Sequence, residues 1–263
     1  MAMNYKSWLL EIDEHIAHLM LNRPEAMNAI TPETLHELRT ITQYLKDRQD
    51  VWVVILQGVG ANFSVGMDVN VIGQMMGQDR EVFRHNMRGL QDCLDVFEAL
   101  EKPTIAKIRG YCIGGGLILA LCCDFRIAAE SANFSVPEVK RGIAVLMGTQ
   151  RIIRVAGVAA AKEMIMLGER FDAQTALKWG LLHQVAADEA LDLTVSNVAE
   201  KFAHLPPLTV GIIKRIIQRG GEMNFKDSQL LEIESQVTLL NTEDFKEGVT
   251  SFFEKRPPQF KGK

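Results

Sequence analysis

Residues 51–56, Val51-Trp52-Val53-Val54-Ile55-Leu56, form an unbroken apolar run in which four side chains are β-branched. A strand with one face in water alternates apolar and polar residues, so a continuous run fits a strand covered on both faces. Such strands belong to parallel sheets, which need crossover segments between them. The flanking sequence supplies them. Residues 15–21 read as a strand after the turn-like Asp13-Glu14, and Thr31-Pro32 opens a helix with Thr31 as N-cap and Pro32 at the first helical position. A loop punctuated by Gly58, Gly60 and Gly66 follows the apolar run, and residues 71–90, polar with several Met and Arg, read as a mobile helix over a site. Residues 104–109 form the next strand, Gly114-Gly115-Gly116 a turn, 117–123 a short helix and 125–129 a further strand. The expected class is α/β.

Beyond residue 150 the pattern turns helical. Asp172 caps a helix running toward Trp179 that Gly180 ends, residues 181–185 make a short strand, and 189–204, 207–219, 224–240 and 242–254 read as helices. The chain therefore divides into a core over residues 1–195 and a helical region over 196–263. Its 263 residues, 47% hydrophobic and 24% charged, have ample apolar content for a core and exclude collagen-like or disordered classes. A net charge of −4 argues against general affinity for nucleic acid. No apolar run approaches the ~20 residues of a membrane span, and the first twelve residues hold no signal-peptide core. Cys93, Cys112, Cys122 and Cys123 show no CxxC spacing, so reduced thiols in a cytoplasmic compartment are expected.

Three segments carry candidate chemistry. Gly114-Gly115-Gly116 lies between a strand and a helix, where unpaired N–H groups favour an anion or a developing oxyanion and glycine allows close approach. A dinucleotide fingerprint would need glycine where Leu119 stands, and no Walker lysine follows; tight packing of helix on strand is the structural alternative. In the second segment, residues 63–68, Ser64 invites a nucleophile reading, but Asn62 occupies a position where G-x-S-x-G needs glycine. None of the six histidines has metal or triad spacing, and no metal site is expected. The third is Pro137-Glu138: a carboxylate in an otherwise apolar stretch is either a surface cap or a general base with a raised pKa.

The ordered set LNRPEAMNAI (21–30), FSVGMDV (63–69), GYCIGGG (110–116), CDFRIAAESANFSVPE (123–138), GTQRI (148–152) and TEDFKEGVTSFFEKRPPQFKG (242–262) resembles the crotonase, or enoyl-CoA hydratase/isomerase, superfamily. The resemblance implies a spiral of ββα units with a helical C-terminal trimerisation region, assembling as a homotrimer or a dimer of trimers. It implies an acyl-CoA thioester as substrate, so that coenzyme A enters with the substrate and no separate cofactor is needed. By motif, the two backbone N–H groups that bind the thioester oxygen fall on Met67, just after Gly66, and on Gly115, with Gly114 beside it. Glu25, Ala26 and Asn28, together with Ser64, Gly66, Met67, Asp68 and Val69, line the coenzyme A site, and Pro137-Glu138 matches the position of a catalytic glutamate. Arg23, Lys255 and Lys261 are conceivable cations for the phosphates.

Departures from the family pattern narrow the reaction. Hydratases of the family carry a second glutamate two residues after the glycine triplet, where this chain has Ile118. The loop at 142–148 is one residue short, lacks the usual Pro-Gly and holds no carboxylate. One titratable group, Glu138, then remains. A double-bond shift moves one proton between C2 and C4 and needs one carboxylate, so a Δ3,Δ2-enoyl-CoA isomerase is the favoured expectation. Hydration of a 2-enoyl-CoA, a weakly active CoA-binding or scaffold member, and a serine hydrolase stay open as alternatives.

Overall fold

The computed structural model describes residues 2–263. Its strands are β1 (Ala2–Asn4), β2 (Trp8–Asp13), β3 (Ile16–Leu21), β4 (Val53–Gly58), β5 (Thr104–Ile108), β6 (Tyr111–Ile113), β7 (Phe125–Ala129), β8 (Asn133–Ser135), β9 (Arg170–Asp172) and β10 (Gln184–Ala186). Between and after them lie α1 (Pro32–Asp47), α2 (Val69–Gln74), α3 (Arg80–Glu98), α4 (Gly115–Leu121), α5 (Thr149–Leu167), α6 (Ala173–Lys178), α7 (Leu191–Ala203), α8 (Pro207–Gly220), α9 (Phe225–Leu239) and α10 (Glu243–Glu254).

The apolar run becomes β4, the central strand of a sheet ordered β1-β2-β3-β4-β5-β7-β10. The β1/β2 and β2/β3 pairs are antiparallel, and every pair from β3 to β10 is parallel. Both faces of β4 are covered, as its composition required. Val54 and Leu56 join a core with Leu35 and Leu38 of α1 and Leu94 and Phe97 of α3, whereas Val53 and Ile55 pack with Leu191, Val195 and Ala199 of α7. The strand starts two residues later than the run, at Val53, where pairing with Ile16 of β3 begins, and Trp52 stacks on His15 at 3.9 Å between ring centroids. At the start of α1, Thr31 accepts from the Thr34 N–H at 3.2 Å while its own N–H donates to Thr34 Oγ1 at 3.2 Å, a reciprocal cap ahead of Pro32.

The segment read as one mobile helix is two, α2 and α3, the second presenting Leu90, Cys93, Leu94 and Phe97 to the core. Helix α5 escapes the sequence pattern, since Gly157 interrupts it at φ 76° and alanines dilute its stripe. A second sheet of β6, β8 and β9 was likewise not expected.

The C-terminal helices are anchored on the core through α8. Lys214, 7% exposed, donates to Asp124 at 2.7 Å and to the Lys102 carbonyl at 3.1 Å. Gly211 lies so close to the Glu101 carbonyl that a Cβ there would come within 2.3 Å. Helix α9 packs on α8, and Asp244 at the start of α10 accepts from the N–H groups of Lys261 and Gly262. Among the described residues no helix is long and apolar enough to cross a membrane, and all four cysteines are buried free thiols.

Candidate active site

The second sheet is what assembles the candidate residues. Strands β6 and β8 are parallel, and Ser64 extends the sheet through a parallel bridge to Cys112: its N–H donates to the Tyr111 carbonyl and its carbonyl accepts from Ile113. Three chain segments therefore run side by side in one direction, ending at Ser64, Ile113 and Ser135. The residues that follow those three ends are Gly66-Met67, Gly114-Gly115 and Pro137-Glu138. Segments far apart in sequence thus deliver two glycine turns and one carboxylate to a single edge.

Two N–H groups at that edge lack acceptors. In the parallel bridge between Ile30 and Met67, the Ile30 N–H donates to the Gly66 carbonyl and the Asp68 N–H to the Ile30 carbonyl, so the ladder skips the Met67 N–H. Gly115 is the first residue of α4 and has no intrahelical acceptor. Among the described residues neither N–H is hydrogen-bonded. The two are neighbours: a Cβ at Gly115 would sit 3.3 Å from the Met67 nitrogen, and one at Gly66 would sit 2.9 Å from the Gly115 nitrogen. Gly66 has φ 86° and Gly114 φ 49°, so both turns require the backbone freedom of glycine.

Glu138 lies against Gly114, the residue before one of these donors. Its Oε1 is 2.5 Å from the place a Cβ of residue 114 would take, so the carboxyl rests on the bare Cα of Gly114. Its Oε2 is buried and, among the described residues, makes no hydrogen bond. Burial pushes the carboxyl above its ordinary value of 4.5, opposed in part by a backbone hydrogen bond and by Arg141. A carboxyl oxygen without a partner can exchange a proton, and two unpaired N–H groups can hold an anion.

Ile118 stands one helical turn after Gly114, on the same face of α4. It is 3% exposed and fills the space above Gly148, where a Cβ would come within 2.4 Å of both its Cγ1 and Cδ1. Val145 completes this apolar wall, and a Cβ at 148 would lie 3.2 Å from its Cγ1. No second carboxylate takes the place of the isoleucine.

The other sequence candidates divide into exposed and committed groups. Glu25 and Val69 are exposed and Ala26 is half-buried. The Asn28 amide is wholly buried: it donates to the Val59 and Asn62 carbonyls at 3.0 and 2.7 Å and accepts from the Arg23 N–H, holding the 58–63 turn rather than facing solvent. The Ser64 hydroxyl donates to the Asn28 carbonyl at 2.7 Å and accepts from the Gly66 N–H at 3.1 Å, so it shapes the glycine turn instead of standing free as a nucleophile. Asp68 caps α2 and pairs with Arg23 at 3.3 Å. The tail bearing Lys261 folds against Trp52, at the opposite end of β4 from the glycine turns, and Gly262 touches that indole. Within one chain the segment around Lys261 therefore lies away from the glycine turns. Among the described residues no cluster of three His, Cys, Asp or Glu side chains could hold a metal ion.

Comparison with known proteins identifies the family and the fold. Residues 11–263 match the family model described as enoyl-CoA hydratase/isomerase. The chain is 34% identical over 260 residues to crotonyl-CoA hydratase of Syntrophomonas wolfei subsp. wolfei, covering 98% of this chain and 99% of that protein. It is 36% identical over 255 residues to (E)-benzylidenesuccinyl-CoA hydratase of Thauera aromatica, covering 96% and 98% of the two chains. The crystal structure of enoyl-CoA hydratase from Bacillus anthracis superposes with a TM-score of 0.91 at 33% identity, over 98% of this chain and all of that one.

Proposed function

The chain belongs to the enoyl-CoA hydratase/isomerase family, and we propose that it binds an acyl-CoA thioester oxygen at the Met67 and Gly115 N–H groups and uses Glu138 as its single acid–base. The observation that carries this reading is the convergence of two unpaired N–H groups and one unpartnered, buried carboxyl oxygen on one sheet edge. Removing a proton from C2 or C4 of an enoyl thioester puts negative charge on the thioester oxygen. Two preorganised N–H donors stabilise that charge where it develops. A carboxyl whose pKa is raised by burial both accepts a proton and returns it.

The favoured reaction is the Δ3,Δ2 double-bond shift. Glu138 takes a proton from C2 of a 3-enoyl-CoA, the dienolate rests on the two donors, and the same carboxyl delivers the proton to C4. Every step uses groups of this chain and the thioester alone. Ile118 supports this reading, because it puts a dry aliphatic wall where a second carboxylate would hold water. Hydration of a 2-enoyl-CoA is the second reading, and the observation that favours it is kinship: the relatives named above are hydratases. On that reading Glu138 activates water and returns its proton to C2. Steady-state rates with 3-enoyl-CoA and 2-enoyl-CoA of matched chain length decide between them. We expect the shift to be faster than hydration; efficient hydration with no shift would transfer the proposal to the second reading.

The 25–26 turn, with Glu25 exposed and Ala26 half-buried, and the 66–69 turn form the coenzyme A face of the site. We further assign residues 1–195 to the catalytic core and 196–263 to self-association as a trimer or a pair of trimers, the latter resting on the exposed apolar side chains of α8 to α10.

A further inference from the structure

Arg151, near the start of α5, is only 8% exposed and carries three bonds at once. Its Nη1 donates to the Met147 carbonyl at 2.5 Å, its Nε to Glu98 Oε2 at 2.8 Å, and its Nη2 bonds the Asp95 carboxylate. Asp95 and Glu98 sit on the last turns of α3, so one guanidinium joins α3, α5 and the 142–148 loop. A buried ion pair of this kind is weak evidence of stabilisation, since desolvation offsets much of the attraction. What it does provide is position.

The position that matters is that of the loop end. Met147 adopts a left-handed φ of 64°, a conformation that persists in a non-glycine residue only when its surroundings hold it. The Arg151 bond to its carbonyl is that hold. The next residue, Gly148, is the floor on which Ile118 rests, and Val145 packs beside it, its carbonyl accepting from Thr149 Oγ1 at 2.8 Å. Arg151 therefore reaches Ile118 through Met147 and Gly148, and Ile118 stands one helical turn after Gly114, against which the Glu138 carboxyl rests.

We propose that Arg151 is a positioning residue: clamped by Asp95 and Glu98, it fixes the 145–148 segment that props Ile118, one helical turn from the Gly114 on which the Glu138 carboxyl rests, and so sets the ratio of double-bond shift to water addition. This inference rests on the reading of Glu138 as the acid–base and of the double-bond shift as its reaction. Loosening the clamp lets Gly148 and Ile118 drift apart and water reach the carboxyl. Proton transfer then loses its alignment, and the carboxyl regains an ordinary, more acidic environment.

The test compares wild type, Arg151→Met, Arg151→Lys, Glu98→Gln and Glu138→Gln as full-length chains, measuring both reactions across the pH range. Arg151→Met should lower kcat for the shift by about tenfold or more, as expected when reacting groups are misplaced by a fraction of an ångström. KM should stay within about twofold, because the donors and the 25–26 turn are untouched. The hydration-to-shift ratio should rise, and the ascending limb of kcat/KM should move to lower pH. Arg151→Lys, which keeps a cationic donor, should recover part of each change, and Glu98→Gln should move ratio and limb in the same direction by less. A folded Arg151→Met with the wild-type ratio and wild-type limb, whatever its Tm, overturns the inference. Should Arg151→Met not fold, an unchanged ratio and limb in Glu98→Gln overturns it equally. Glu138→Gln separates the two levels. If it keeps full activity, the acid–base reading and this inference fall together; if it is inactive while the Arg151 variants keep ratio and limb, only the inference falls.

Discussion

At the scale of single residues, the site is made by what is missing as much as by what is present. Gly114 has no Cβ, and the Glu138 carboxyl occupies the space one would fill. Gly114→Ala should therefore lose activity by ~10²-fold or more, comparable with misplacing a catalytic group, and about 1–3 kcal/mol of stability from its positive φ. Kinetics beside a urea melt would check both. Gly115→Pro is the cleaner probe of the donor pair. Proline is tolerated at the first position of a helix, where α4 has Gly115, yet it deletes the N–H. Turnover should drop by ~10²–10³ with α4 intact; wild-type turnover in a folded Gly115→Pro chain would remove Gly115 from the mechanism. Glu138 gives a pH test with a definite sign. Its folded pKa lies above the ordinary 4.5, so the native state holds the proton more tightly than the unfolded chain does. Stability from this group is complete below the ordinary value and is lost as pH rises through the folded pKa. Glu138→Gln cannot ionise. Wild type should thus lose Tm relative to Glu138→Gln on going from acid to neutral pH, and parallel Tm profiles would show that burial does not perturb the carboxyl. On activity the sign is opposite, because kcat/KM should rise as the base deprotonates.

At the scale of elements, Ile118 and Gly148 form a matched pair from α4 and the start of α5. Adding a methyl in Gly148→Ala puts a Cβ 2.4 Å from two atoms of a buried, β-branched side chain that cannot swing aside. Overpacking of this kind costs about 1–3 kcal/mol. The double variant Gly148→Ala, Ile118→Ala removes the clashing atoms and should be more stable than the sum of the two single changes implies, a coupling a denaturant series would read. Elements with strong local signals are legible in the amino-acid sequence itself. The all-apolar run announces β4, residues 125–129 match β7, Thr31 and Asp172 cap their helices as read, and the helices read from 224 and 242 begin one residue later, with Asn224 and Thr242 as caps. The elements that assemble the site are not legible there. Strands β6, β8 and β9 have three residues each, too short to display a period of two, and their pairing joins residues far apart in sequence. Glycines and Glu138 can be named from motif, but their meeting depends on the parallel alignment of Ser64, β6 and β8. Asn28 and Ser64 show the converse. Both stand in the right motif for ligand contact, and both spend their side-chain atoms on holding turns, a distinction set by long-range hydrogen bonds that sequence pattern does not encode.

At the scale of the whole molecule, the most buried ion pair between the core and the C-terminal helices joins Asp124 to Lys214. Asp124 accepts from the Thr104 N–H at 2.8 Å, from Thr104 Oγ1 at 2.9 Å and from Lys214 of α8 at 2.7 Å. Asp124→Ala strands a nearly buried ammonium and should cost about 3–5 kcal/mol, with α8 to α10 becoming protease-sensitive before the core does. Those helices also carry apolar surface with nothing over it in a single chain. Ile217 is 70% exposed, Phe225 and Phe252 78%, and Phe253 77%. Monomeric proteins rarely leave so many large apolar side chains clustered in water, and burying one of them stabilises by about 1.5–3 kcal/mol. A C2 pair would need one self-complementary patch, whereas apolar residues spread over three successive helices suit a ring in which each chain meets two neighbours. Light scattering at micromolar concentration should give the mass of three or six chains. Replacing Phe252 and Phe253 together by Asp should shift that mass toward one chain while the core keeps its far-UV signature. A wild-type mass of one or two chains would leave the exposed faces of α8 to α10 without the partner assigned to them here.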